Sequence, residues 1–130
     1  METLPIRLDP GSDLRQALEA LACGDGAAAF VIAGIGSLRA VRIRLAGRPD
    51  ADALDGDFEI LTLCGSVAPA AAHLHISVAD GAGHVVGGHV AYGCIVRTTV
   101  EALLLRLPEW SFARVPDPRT GFAELVVRRR

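Results

Sequence analysis

Alternation of apolar and polar positions dominates this chain and predicts strand for most of its length. Residues 3–8 read as a short strand, closed by the turn Asp9-Pro10-Gly11. Leu14, Ala17, Leu18 and Leu21 then recur at helical spacing, with Ser12 placed to cap the helix and Gly24 beyond its end. Ala27 to Ala33 is a continuous apolar run, the pattern of a strand covered on both faces, and Gly34-Ile35-Gly36 breaks it. From Ser37 to Ala46 the alternation is clear. Leu38, Ala40, Arg42, Arg44 and Ala46 share one side, which carries a basic stripe or a solvated face; Ser37, Arg39, Val41, Ile43 and Leu45 share the other. A polar connection starting at Gly47 lasts to Gly56, and Asp57 to Val67 reads as the next strand. On that strand Glu59 is an acid on the side of Leu61 and Leu63, so it marks the rim or needs a partner such as a metal site or an arginine.

The stretch Ala72–Val90 holds all four histidines. His73, His75 and Ser77 alternate with Leu74, Ile76 and Val78, so both imidazoles of the pair point to one face. Asp80-Gly81-Ala82-Gly83 supplies a turn, and a second extended run returns as far as His89. Register decides which third ring joins the pair. An even-length connection around Ala82 opposes His73 to Val90 and His75 to Gly88, which puts His84 on their face. A one-residue shift, for which Gly87-Gly88 offers a bulge, puts His89 there instead. On pattern alone both stand. Three neutral imidazoles converging on one side of a hairpin suit a zinc-like ion with an open coordination position.

Tyr92 to Arg97 reads as a further strand. Thr98 with Glu101 three residues later has the form of a capping box, which predicts a helix over Thr99–Arg106 ended by Pro108. Trp110–Val115 and Ala123–Arg128 are strands joined by the turn-rich Pro116–Gly121 segment. The tally is about eight short strands and two helices, an α+β domain. No repeat or linker divides it, so residues 1–130 form a single domain.

With 51% hydrophobic residues the chain is too apolar for disorder, and with 5% aromatics its core must be aliphatic. No apolar run approaches the roughly 20 residues that span a bilayer, which argues against a membrane location. METLPIRLDP lacks the basic-then-apolar pattern of a signal peptide, so a cytoplasmic location is expected. Cys23, Cys64 and Cys94 form no C-x-x-C pair and read as reduced thiols, Cys94 as a core residue. A formal net charge of −2 gives no overall field to attract nucleic acid. Gly81 and Gly83 precede no helix and make no phosphate loop, and no serine sits in a nucleophile elbow.

Several segments together resemble the plants-and-prokaryotes-conserved (PPC) domain over almost the whole chain. They are Gly34-Ile35-Gly36-Ser37-Leu38, Phe58–Ser66, His73-Leu74-His75, Gly87-Gly88-His89, Gly93-Cys94 before Thr98-Thr99-Val100-Glu101, and Asp117–Phe122. The resemblance implies a mixed, strongly curved sheet and assembly as a homotrimer. It also implies that H-x-H and G-G-H form a metal-binding triad, which falls here on His73, His75 and His89, with a bulge at the glycine pair; His84 falls outside the motif. The fold is similar to that of acetolactate decarboxylase, which makes a metal-dependent lyase one expectation. Plant members carry AT-hooks, and many bacterial relatives are labelled DNA-binding. This chain has no Arg-Gly-Arg-Pro core, only Gly47-Arg48-Pro49, and a short Arg128-Arg129-Arg130 tail. The expectation is therefore a trimer with one divalent metal per subunit, most simply zinc, and water or a small anionic ligand on the open position. Glu59 is the candidate nearby acid or general base, and Arg39 the candidate contact to a bound carboxylate. A metal-site binder or enzyme, a DNA-binding protein and a trimerisation module are the competing classes.

Overall fold

Alternation becomes strand over most of its length, but Tyr92–Cys94, read as the start of a strand, is a turn: Gly93 takes φ +101°, its amide donates to Asp13, and the strand begins at Ile95. The computed structural model describes residues 1–22, 24–69 and 71–130, so Cys23 lies outside the described residues. The elements are β1 (Glu2–Leu8), α1 (Leu14–Ala22), β2 (Ala28–Arg44), β3 (Asp52–Val67), β4 (His73–Ala79), β5 (Val85–Val90), β6 (Ile95–Leu107), β7 (Trp110–Asp117) and β8 (Phe122–Arg129). Six strands form one sheet in the order β1-β6-β2-β3-β4-β5, and β7 and β8 form a separate ribbon.

Every pairing among the described residues is antiparallel, which corrects the expected mixed sheet. The reason is local. Strands β2 to β5 follow one another through short connections, and parallel neighbours need long crossovers that this chain does not supply. The sheet then curls until β5 meets β2 again, pairing Ile43 with Val90 and Arg44 with His89. Strand β2 can close this roll because β6 leaves its edge at Ala40, where Ile95 is the last partner. Inside the roll lie Val41, Ile43, Leu74, Ile76, Val78 and Val90, all buried. Each such side chain contributes about 1.5–3 kcal/mol on leaving water.

The second expected helix is absent: Thr99–Arg106 belongs to strand β6, paired with both β1 and β2. Burial there has period two, with Val100, Ala102 and Leu104 inside and Glu101 and Leu103 outside. Thr98 binds the Ser37 hydroxyl across the sheet at 2.5 Å instead of capping a helix. Pairing on two edges outweighs the helical propensity of Glu-Ala-Leu-Leu-Leu, which is a weak preference per residue.

Gly34-Ile35-Gly36 does not break β2 either; the strand runs through it, with register shifts on both sides. Gly36 has φ +144°, and a Cβ there would overlap the Thr99 carbonyl of β6, so the glycine permits the close approach of two backbones. The shifts also reverse side-chain parity. Leu38 joins Val41 and Ile43 in the core and Arg39 is turned out to solvent. Likewise, between Ile60 and Thr62 a shift exposes Leu61 and buries Leu63. The polar connection is shorter than expected, because β3 already starts at Asp52 and pairs with Ile43.

Helix α1 buries Leu14 and Leu18 and leaves Leu21 exposed. Its cap is Asp13, not Ser12: the Gln16 amide donates to Asp13 Oδ1 at 3.1 Å and the Gly93 amide to Oδ2 at 2.7 Å. The Ser12 carbonyl is taken by the Val96 amide. Glu19 of α1 accepts from the Ala72 amide at 2.9 Å and so pins the chain just before His73. The β7–β8 ribbon packs Phe112 edge-on to Phe30 with centroids 5.4 Å apart, which brings its far end beside the histidines.

Candidate metal centre

The hairpin of β4 and β5 sets the site. Its connection is Asp80–His84, an odd five residues, in which Asp80 Oδ1 accepts from the Ala82 and His84 amides. Ala79 therefore opposes Val85 and His75 opposes His89, with Ile76 on Gly88. The register is continuous through Gly87-Gly88, so the expected bulge at the glycine pair is not present. The turn length shifts the register instead. His84 stays at the turn, 84% exposed, with Nδ1 3.2 Å from Asp80 Oδ2.

His73, His75 and His89 come together on the outer face of the roll. His73 Nε2 lies 3.1 Å from His75 Nε2, and the ring centroids of His73 and His89 are 4.8 Å apart. Each ring offers one nitrogen, and the three nitrogens lie within 4.8 Å of one another. Tetrahedral ligands at the usual zinc–nitrogen distance stand roughly 3.3 Å apart, so small ring rotations bring these three onto one ion. Protonation opposes binding by imidazole, and here the surroundings resist it. Burial holds His89 down to about 4, with His73 and Arg44 acting in the same direction. His73 is lowered too, first by burial and then by Arg114 and His75. These groups bind a proton less readily folded than unfolded. Metal-free protein should accordingly be fully stable above pH 6.5 and lose stability as pH falls towards about 4. Denaturant midpoints measured across that window should show the slope, and His89→Asn should flatten it.

Glu59 and Arg39 do not reach the rings. Glu59 is exposed opposite Ala79, and His75 pairs with Cys64, five residues further along β3, roughly 16 Å away. Arg39 sits at the β2 bulge, five residues before Arg44, which pairs directly with His89. The charged groups nearby are Arg15, Arg44, Arg48, Arg114 and Glu124, lining a groove of about 720 Å³ that opens onto His73 and His89. A smaller notch of about 390 Å³ is lined by all three histidines and shares Arg44 with the groove. Arg44 was visible in the sequence as part of a basic stripe. Arg114 and Glu124 gave no local signal, because the ribbon that carries them meets the hairpin only in the fold. Cys64 is exposed and Cys94 buried, both free; burial raises the Cys94 thiol above its ordinary range. No helix among the described residues is long and apolar enough to cross a membrane.

Residues 1–108 match the Plants and Prokaryotes Conserved (PCC) domain. The chain is 43% identical over 129 residues to the bifunctional protein GlmU of Synechococcus sp. strain JA-2-3B'a(2-13), covering 98% of this chain but 20% of that protein. It is 30% identical over 119 residues to AT-hook motif nuclear-localized protein 25 of Arabidopsis thaliana, covering 85% of this chain and 40% of that one. The chain thus spans well under half the length of these relatives. Among solved structures, a hypothetical protein from Salmonella enterica superposes with a TM-score of 0.94 at 35% identity, covering 99% of this chain and 94% of that one. A metal-containing protein from Archaeoglobus fulgidus gives 0.76 at 25% identity, covering 97% and 94%. A protein from Ralstonia eutropha for which DNA binding is proposed gives 0.76 at 26% identity, covering 94% and 89%.

Proposed function

We propose, from the premise that this chain belongs to the Plants and Prokaryotes Conserved domain family, that it binds one divalent metal ion through His73, His75 and His89. Zinc is the natural choice for three imidazoles, and the fourth position is left for water or a small anion. The observation that carries this reading is the gathering of three ring nitrogens within 4.8 Å, two of the rings being held neutral by burial. The Archaeoglobus relative described as metal-containing supports it. A bound ion would polarise an oxygen ligand or acidify a bound water. The chain's own part is to fix the rings: Ser66 and Cys64 of β3 stand opposite His73 and His75, and Arg44 of β2 opposite His89. We further propose a homotrimer. Ile32, Ile35, Leu61 and Leu103 are 38–56% exposed on neighbouring strands β2, β3 and β6, an apolar sheet face suited to copies of the same chain.

Metal analysis after supplementation with zinc, manganese or nickel tests the reading. One ion per chain is expected, and a clearly substoichiometric content with all three sinks it. DNA binding is the second reading, favoured by the description of the Ralstonia relative. The arginines lend it little, since many are spent within the fold: Arg42 pairs with Asp55, Arg97 with Asp57 and Arg129 with Glu109. Arg130, at the end of the short Arg128-Arg129-Arg130 tail, donates to the Pro108 and Asp25 carbonyls. Salt-dependent retention on duplex DNA would favour this second reading, and no retention near physiological ionic strength would end it.

A further inference from the structure

The groove beside the histidines carries positive charge that the fold does not neutralise. Of its four arginines, Arg15 is already satisfied: it pairs with Glu19 at 3.1 Å, donates to the Val90 carbonyl and stacks over Tyr92. Arg44, Arg48 and Arg114 differ. None has a carboxylate within ion-pair distance among the described residues, and all three line this one groove. Arg114 is also aimed. Its Nη2 donates to Ser66 Oγ at 2.8 Å, and the buried Ser66 stands opposite His73 across β3 and β4. Arg44 stands opposite His89. Two guanidinium groups from separate parts of the chain are thus set against two of the three imidazoles, with Glu124 the one carboxylate on the groove wall. A divalent ion on the histidines would add two further positive charges. Arg44 and Arg114 are half-buried, and like charges gathered in one groove repel one another, so an anion from solution would relieve that repulsion. The remaining wall is small and apolar, with Ala71, Ala72, Phe122 and Ala123.

We propose that this groove binds a small organic dianion, a short dicarboxylate, with one acid group at the metal and the other held by Arg44 and Arg114. The second contact is the two-pronged pairing that guanidinium makes with carboxylate. Arg48, beside Pro49 at the groove's edge, adds charge that draws the anion in. A volume of about 720 Å³ is that of a small-molecule site, and a concave groove in a chain of net charge −2 suits a small molecule better than a long polyanion. The inference rests on the metal reading for one of its two contacts only.

Calorimetric titration with malonate and succinate, against acetate and inorganic phosphate, tests it on metal-loaded and metal-free protein. Loaded protein should bind at least one of the dicarboxylates at least about tenfold more tightly than acetate. Arg44→Gln and Arg114→Gln should each weaken that binding by about tenfold or more while metal content stays unchanged. Arg39→Gln, an exposed arginine away from the groove, should bind as the wild type does. Metal-free protein should keep a weaker affinity for the same dicarboxylate, still lost in the Arg44 and Arg114 variants. If the chain holds no metal but shows that residual affinity, the metal reading fails and the groove stands. If metal is held and neither dicarboxylate binds, or the arginine variants bind as well as wild type, the groove inference fails alone. Tighter binding of inorganic phosphate than of both dicarboxylates would overturn the assignment to carboxylates. Retention on duplex DNA that the same variants lose, without binding of either dicarboxylate, would assign the arginines to a phosphodiester backbone and overturn the inference too.

Discussion

His75→Ala is expected to yield a folded protein that no longer retains a divalent ion. The ring is exposed on the outer face of β4, and its replacement opens no cavity in the core. Stability without metal should therefore change by no more than about 0.5 kcal/mol. The metal should respond very differently. If a four-ligand structural site contributes about 10–16 kcal/mol, one ligand is worth roughly 3 kcal/mol, or more than about a hundredfold in affinity. Equilibrium dialysis followed by metal analysis reads this directly, with His84→Ala as the comparison that should keep its ion. Thermal unfolding gives a second reading. A ligand present at about a hundred times its dissociation constant adds about 2.7 kcal/mol to the wild type, and the His75→Ala protein should gain no more than about 0.4 kcal/mol at the same concentration. The mass in solution should be the same for both proteins, since the apolar face assigned to self-association lies on β2, β3 and β6. Undiminished metal affinity in the variant would remove His75 from the site.

Gly65→Ala should be the most damaging single methyl added to this chain. Gly65 lies on β3 between the positions opposite His73 and His75, paired with Leu74. Its φ is +151°, and a Cβ there would run into the His73 carbonyl of the neighbouring backbone. Neither strand can yield cheaply, because β3 is paired on both edges. The backbone conformation costs about 1–2 kcal/mol for an L residue, and parting the strands adds at least as much. A loss of about 3 kcal/mol or more is expected, with the unfolding midpoint lowered by roughly 10 °C. Because the displaced backbone is that of His73, metal retention should weaken along with stability. Gly81→Ala, at a turn position with open space around it and no such φ, should be nearly neutral. Equal stability of the two variants would refute this account of how β3 and β4 pack.

Much of the architecture was legible because side-chain alternation is a local property. The strands around Ile6, Val41, Ile76 and Phe112, and the helix through Leu14 and Leu18, followed from period alone. The failures also share a cause. Thr98–Glu101 carries the chemistry of a helix start, but the decisive fact is that β1 and β2 both offer edges to β6, and neither edge is visible in those four residues. Bulges near Leu38 and Leu61 reverse parity, so a regular alternation set Arg39 with Val41 and Ile43 and Glu59 with Leu63, whereas Arg39 and Glu59 are exposed and those partners buried. The triad shows the same division. His73 and His75 share a face by strand geometry, whereas His89 joins them through a turn of five residues.

By itself, the sequence determined the strand-rich class, the paired imidazoles of β4 and the aliphatic core, because each depends on neighbours one to four residues apart. Only the tertiary structure decided that β5 would close onto β2, that His89 and not His84 would face the pair, and that Arg44 and Arg114 would stand beside them. Those outcomes depend on register and curvature, which accumulate over whole strands. A shift of one residue turns every side chain to the opposite face.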